Sequence, residues 1–399
     1  QKSNIGDSCD DGKIETMKDI YINDAFTCVG EIIIGSECDD RNAGTTGDRY
    51  VDNDFTCKPT NSVIGATCDD LNPQTEKDVY TDINFTCKGN KIYNSIKCYG
   101  EPINSSIIVK GVSYLVVDNT NIATYAQSRP ETLCTSNVTN MASLYAYKTT
   151  FNKNINKWDT SNVTNMTMMF YGATSFNQPV GDWDVSNVSS MRQMFNGATA
   201  FNQPLGDWDV SNVVDLSGLF QSATATPTIF NQPIGNWNTS KVTNMNSMFA
   251  NSVMFNQDIG NWNVSNVTDM SSMFYNAKSF NKNIENWNVS NVTNMSNTFI
   301  YALNFNQPLN NWNVSNVTNM NAMFSRAYKF NQPLNNWNVS NVTGMGSMFY
   351  DAKVFYQDIS SWCVTKITSL PPSFAYNSPS TPFTTKTTFH PKWGTCPAI

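Results

Sequence analysis

Nine aspartates in the first fifth of the chain have the residue type and spacing to hold a hard cation. They lie in three segments that align without gaps: GDSCDDGKIETMKDIYINDAFTC, GSECDDRNAGTTGDRYVDNDFTC and GATCDDLNPQTEKDVYTDINFTC. Each has an acidic pair after its first cysteine (Asp10 and Asp11, Asp39 and Asp40, Asp69 and Asp70). A third carboxylate follows at a fixed offset (Asp19, Asp48, Asp78), with Thr16, Thr45 or Thr75 between. Oxygen donors grouped in a short loop suit Ca²⁺ in an extracellular module, and no other cofactor is expected. The same side chains also suit Asx-turns and strand caps, and no EF-hand spacing with a bidentate Glu is present. Little else points to chemistry. The one histidine, His390, precedes a proline near the end of the chain. No nucleophile elbow, zinc-protease or phosphate-loop pattern occurs. The position after tryptophan is Asp in Asp159, Asp184 and Asp209 but Asn in later copies, which no general acid would tolerate. The chain is expected not to be an enzyme.

The ten cysteines contain no Cys-x-x-Cys pair, so a disulfide framework is expected rather than zinc. Equal spacing gives Cys9–Cys28, Cys38–Cys57 and Cys68–Cys87, each stapling a unit too small to bury a core of its own. These units resemble the CDDGN…T..DVY…C repeats found in tandem on bacterial and algal surface proteins. Cys134 and Cys363 occupy one repeat position in the first and last copies of a longer array, and Cys98 and Cys396 lie just outside it. Pairing each with its neighbour would fasten a cap to each end of the array.

The array dominates the chain. Trp158, Trp183, Trp208, Trp237, Trp262, Trp287, Trp312, Trp337 and Trp362 recur every 25 residues, except for a four-residue insertion within Thr224–Thr228. Leu133 holds the tryptophan position of a degenerate first copy. Val163, Met166, Phe170 and Phe176, with their equivalents, form further apolar columns that one copy could not bury alone. S-N-V-T-x-M suits a short strand, M-x-x-M-F-x-x-A has helical spacing, and F-N-Q-P-L-x-x-W must be a loop. Strand, short helix and loop in 25 residues make a leucine-rich-repeat recipe. Ten copies at a strand spacing of about 4.8 Å make a rod about 50 Å long.

WDVSNVSSMRQMFNGATAFNQPLGDWDVSNV resembles the BspA-like, or DUF285, surface proteins, and the likeness runs from Leu133 to about Phe374. GVSYLVVDN…LCTSNVTNM resembles the usual start of such an array and WCVTKITS…KWGTC its usual end. The resemblance implies an α/β solenoid: a leucine-rich-repeat-like, right-handed stack of about ten 25-residue turns, here preceded by small disulfide-stapled β-rich repeats. Leu216 and Leu219 depart from the pattern by replacing Met, and Thr298 interrupts the second Met column. The organisation read from the sequence is 1–98 for the tandem repeats, 99–132 for an N-terminal cap, 133–378 for the array and 379–399 for a C-terminal cap.

Bulk properties narrow the functions. Hydrophobic residues make up 40%, too many for disorder, and no apolar run is long enough to span a bilayer. A net charge of −7 without a basic stripe argues against nucleic acid. A chain that opens on Gln1 and is rich in regularly spaced cysteines is expected to be the mature form of a secreted or cell-surface protein. Glycan attachment is expected at Asn84, Asn104 and the column after tryptophan (Asn238, Asn263, Asn288, Asn313, Asn338). A second column of sequons (Asn162, Asn187, Asn266, Asn291, Asn316, Asn341) suits glycans too, but an inward ladder bonding neighbouring backbone is at least as strong a reading. The tryptophans could offer a sugar-stacking platform, but packing between copies with each N–H on a loop carbonyl is the stronger reading. The expected function is an extracellular scaffold, a surface-layer or filament subunit that binds itself or other surface proteins. An adhesin for host protein or glycan is the alternative, and a carbohydrate-binding module is weaker. The insertion at Thr224–Thr228 is the candidate contact point.

Overall fold

The computed structural model describes the backbone of six strands in residues 17–91, and residues 95–223, 225–376 and 386–397 in full. Contacts divide the chain into two compact units, 1–93 and 94–399. This boundary falls ahead of the expected one because Ile96 N–H already donates to the Lys157 carbonyl and Cys98 is bonded to Cys134.

In the first unit each tandem copy contributes an antiparallel hairpin. β1 (Met17–Tyr21) pairs with β2 (Cys28–Glu31), β3 (Asp48–Tyr50) with β4 (Cys57–Pro59), and β5 (Thr75–Tyr80) with β6 (Cys87–Lys91). The register repeats, with Tyr21 opposite Cys28, Tyr50 opposite Cys57 and Tyr80 opposite Cys87. Asp19, Asp48 and Asp78 therefore lie on the first strand of each hairpin. Cys9, Cys38, Cys68, Asp10, Asp11, Asp39, Asp40, Asp69, Asp70 and Asn84 lie outside the described residues. So do the side chains of Cys28, Cys57 and Cys87, and with them the three expected pairings and the calcium question.

The second unit opens with a three-stranded sheet. β7 (Ser106–Val109) pairs antiparallel with β8 (Val112–Asp118), which pairs parallel with β9 (Leu133–Asn137). Between β8 and β9 lies one helical turn, α1 (Ile122–Tyr125). From there each copy adds a single bridging residue, in parallel pairing with the next: Asn140, Asn165, Ser190, Asp215, Asn244, Asp269, Asn294, Asn319 and Gly344.

The segment with helical spacing is not a helix. Its N–H groups alternate between two kinds of partner. Met166, Met168, Phe170 and Gly172 donate to Ser190, Arg192, Met194 and Asn196 in the next copy, while Met169, Tyr171 and Ala173 donate three residues back within their own copy. A helix would spend every one of these donors on itself. Sharing them between copies requires turns, and the chain makes them with left-handed residues four apart: Met168 and Gly172, Gln193 and Gly197, Ser272 and Asn276, Ala322 and Arg326. Successive turns put side chains at i, i+3 and i+4 on one face just as a helix does, so the pattern alone could not separate them.

The core is the set of columns. All nine array tryptophans are 1–3% exposed, and the Val, Met and Phe columns are buried beside them. Phe170, Phe195, Phe220, Phe249, Phe274, Phe299, Phe324 and Phe349 stack with centroids 5.5–5.9 Å apart. A second column, from Phe176 to Phe355, repeats at 5.8–6.3 Å. Within a copy the two rings lie 3.8–4.2 Å apart. Each aromatic buried between copies contributes roughly 2–3 kcal/mol from area alone. That gain exists only when the neighbouring copy is in place.

Candidate functional site

Apart from open grooves along the surface, the described residues of the second unit present repeated exposed columns and two covalently fastened ends. Each follows from the 25-residue period. The tryptophan N–H groups have no water to bond, and each instead donates to a carbonyl one copy back. Trp158 reaches Pro130, Trp183 reaches Ile155, and the series runs to Trp337 on Leu309 and Trp362 on Leu334, at 2.8–3.2 Å. Adjacent rings lie nearly parallel at 6.1–6.5 Å where they stack, as in Trp262 on Trp287. Buried this way, the tryptophans offer no surface to a sugar.

Asparagine forms two ladders. In the first, Asn162, Asn187, Asn212, Asn266, Asn291, Asn316 and Asn341 each donate to the serine carbonyl 26 residues back, at 2.7–2.8 Å. The bonding is as expected, but the direction is not. These residues are exposed, because the neighbouring valines already fill the inner face. The second ladder uses the asparagine of F-N-Q, and sequence reading assigned that run only to a loop. Oδ1 of Asn177 accepts the backbone N–H of Asn202 and the amide of Gln203. Asn202, Asn281 and Asn306 repeat this with Asn231 and Gln232, Asn306 and Gln307, and Asn331 and Gln332. The signal was available: F-N recurs in nearly every copy, and an unvarying Asn in a loop implies a fixed partner.

The column after tryptophan is exposed, as expected. Asn238, Asn263, Asn288, Asn313 and Asn338 each accept the N–H of the serine two residues on through Oδ1, at 3.0–3.2 Å. Nδ2, the atom a glycan would take, makes no hydrogen bond among the described residues. Asn104 is also exposed, in a left-handed conformation, and accepts the Asn121 amide.

Both caps are bonded where expected. Cys98 joins Cys134, with Cα atoms 6.2 Å apart, and Cys363 joins Cys396. At the first copy, Oδ1 of Asn119 accepts the N–H groups of Thr139 and Asn140, which have no preceding copy to bond. Beside the disulfide, buried Asp159 accepts Lys97 Nζ at 2.7 Å, Ser136 Oγ at 2.6 Å and Ser161 Oγ at 2.7 Å. Burial alone would raise its pKa, but these donors outweigh that and hold it below the ordinary carboxylate range. At the other end, Ile359 and Val364 donate to Phe389 and Thr395, and Phe374 is met edge-on by Trp393 and His390. His390 thus packs in the C-terminal cap.

The family model described as "Mycoplasma protein of unknown function, DUF285" matches residues 117–229, 225–299 and 281–382. The chain belongs to the DUF285 family. The matched stretches run from the last residues of β8 through the final ladder, so the DUF285 match and the stacked copies coincide. No curated protein and no solved structure matches the chain. Among the described residues no helix is long and apolar enough to cross a membrane.

Proposed function

We propose that this DUF285 chain is a right-handed, leucine-rich-repeat-like solenoid serving as an extracellular structural scaffold, a surface-layer or filament subunit that acts through protein–protein contacts. The observation that carries this reading is the sameness of the exposed columns, in which the same Asn, Ser and Thr recur copy after copy, bonded to their neighbours. Such a surface suits lateral or end-to-end repetition better than a single recognition site. Disulfides at both ends favour an oxidising compartment and the secreted or cell-surface location the reading requires. The exposed Asn238–Asn338 column would carry glycans on some copies.

Electron microscopy of native material tests the proposal. Ordered polymers containing the chain support it. Dispersed monomers that bind cells would replace it with the adhesin reading. One observation favours that second reading: the insertion is fastened at its base by Asn251 and Ser252, and Ile229 and Met254 beside it are 48% and 52% exposed.

A further inference from the structure

Where the third full copy departs from the repeat, a groove of about 320 Å³ opens on the face of the bridging residues, and its lining is mostly polar. Gly218 makes the room. The equivalent position is Met168, Gln193, Ser247, Ser272, Asn297, Ala322 or Ser347 elsewhere, and a Cβ on Gly218 would lie 2.9 Å from both Gln193 Cγ and Gln221 Oε1. Ser217 lines the groove and is 7% exposed, and its hydroxyl has no hydrogen bond among the described residues. In later copies the equivalent hydroxyls are occupied: Ser271 Oγ donates to Asp269 at 2.6 Å and Ser296 Oγ to Asn294 at 2.9 Å. Around Ser217 stand the Asp215 and Asp269 carboxylates, each using one oxygen on its own copy, and the Arg192 and Gln193 side chains, which have no hydrogen-bond or ion-pair partner among the described residues.

We propose that this groove binds a neutral pyranose residue of a glycan chain. A sugar hydroxyl donates and accepts at once, so neighbouring hydroxyls satisfy a carboxylate and a guanidinium or amide together. The lining disfavours apolar ligands, since little of its surface is apolar. Two carboxylates against one guanidinium disfavour anions. The Ser217 hydroxyl, facing the groove with no partner among the described residues, is free to bond a ligand oxygen. This inference does not depend on the scaffold reading, because polymers and monomers alike would present the groove.

The test uses the full chain with the methyl glycosides of mannose, glucose, galactose and N-acetylglucosamine, and a lysine-rich peptide as the cationic probe, read by saturation-transfer NMR and calorimetry. At least one glycoside is expected to bind, and binding should fall about tenfold or more in Gly218→Asn and in Asp269→Asn. The Gly218→Asn backbone is tolerable because Asn297 adopts φ 61° at the equivalent position. Melting temperature checks the fold of both variants, and Arg192→Ala, at an exposed position, supplies a third variant expected to weaken binding. The proposal is overturned if no glycoside binds at about 10 mM, if the lysine-rich peptide binds in their place, or if binding survives these substitutions.

Discussion

Trp262→Phe isolates the bond that ties one copy to the next. The replacement keeps an aromatic ring in the column and removes the N–H that donates to the Ile234 carbonyl at 3.0 Å. That carbonyl also accepts Trp237 N–H at 3.3 Å, so it is not left without a partner, and the lost bond costs about 0.5–1.5 kcal/mol. The missing edge of the indole leaves a gap of one or two methylene groups in a site 3% exposed, adding about 1–1.5 kcal/mol. The total is about 1.5–3 kcal/mol. Because the surroundings repeat, Trp237→Phe and Trp287→Phe should agree with it within about 0.5 kcal/mol. The double variant Trp262→Phe/Trp287→Phe, whose rings stand 6.5 Å apart, should couple, whereas Trp183→Phe/Trp337→Phe should be additive. Urea unfolding followed by circular dichroism measures all of these. A cost below about 0.5 kcal/mol for Trp262→Phe, or unequal costs across the three copies, would refute the reasoning.

Three other outcomes are expected. Gly235→Ala should destabilise by about 1–3 kcal/mol, since its Cβ would lie 2.5 Å from the Asp258 carbonyl of the next copy; thermal melts check this. Lys97→Met should cost about 1–2 kcal/mol, less than for a fully buried pair because Lys97 is half exposed. The Asp159 pKa is lower in the folded chain than unfolded, so its contribution is complete above the unfolded value of about 4 and fades as the pH falls through the folded one. Melts across the acid range should therefore flatten in Asp159→Asn. Replacing Cys363 and Cys396 by serine opens a 33-residue span worth about 3–4 kcal/mol, so amides near Ile359 and Val364 should exchange faster while those of the central copies hold.

Much of this arrangement was legible in the sequence, for a physical reason. A fixed period makes each residue its own neighbour one copy on, so like residues at one position had to meet, as the Trp, Phe and Met columns do. The same logic paired Cys98 with Cys134 and Cys363 with Cys396, since residues at one repeat position face the two ends. Backbone conformation was less legible, because helices and chained turns share a spacing of three and four, and only the left-handed residues at Met168 and Gly172 and their equivalents separate them. The direction of the Asn162 column was misread because polar ladders form equally well on either face. The groove left a trace in Gly218 between Leu216 and Leu219, a local change of composition whose meaning needed the neighbouring copies in place.

The central claim, that consecutive copies stack in register, is tested most directly by dipolar distances between spin labels attached through a non-canonical amino acid. Thr164 serves as the fixed point, with the exposed equivalents Thr268, Thr293, Thr318 and Thr343 as partners. The distance should grow by about 5 Å for each added copy, the spacing of hydrogen-bonded strands. Distances that stay flat, jump irregularly or spread broadly along the series would contradict the stacked arrangement.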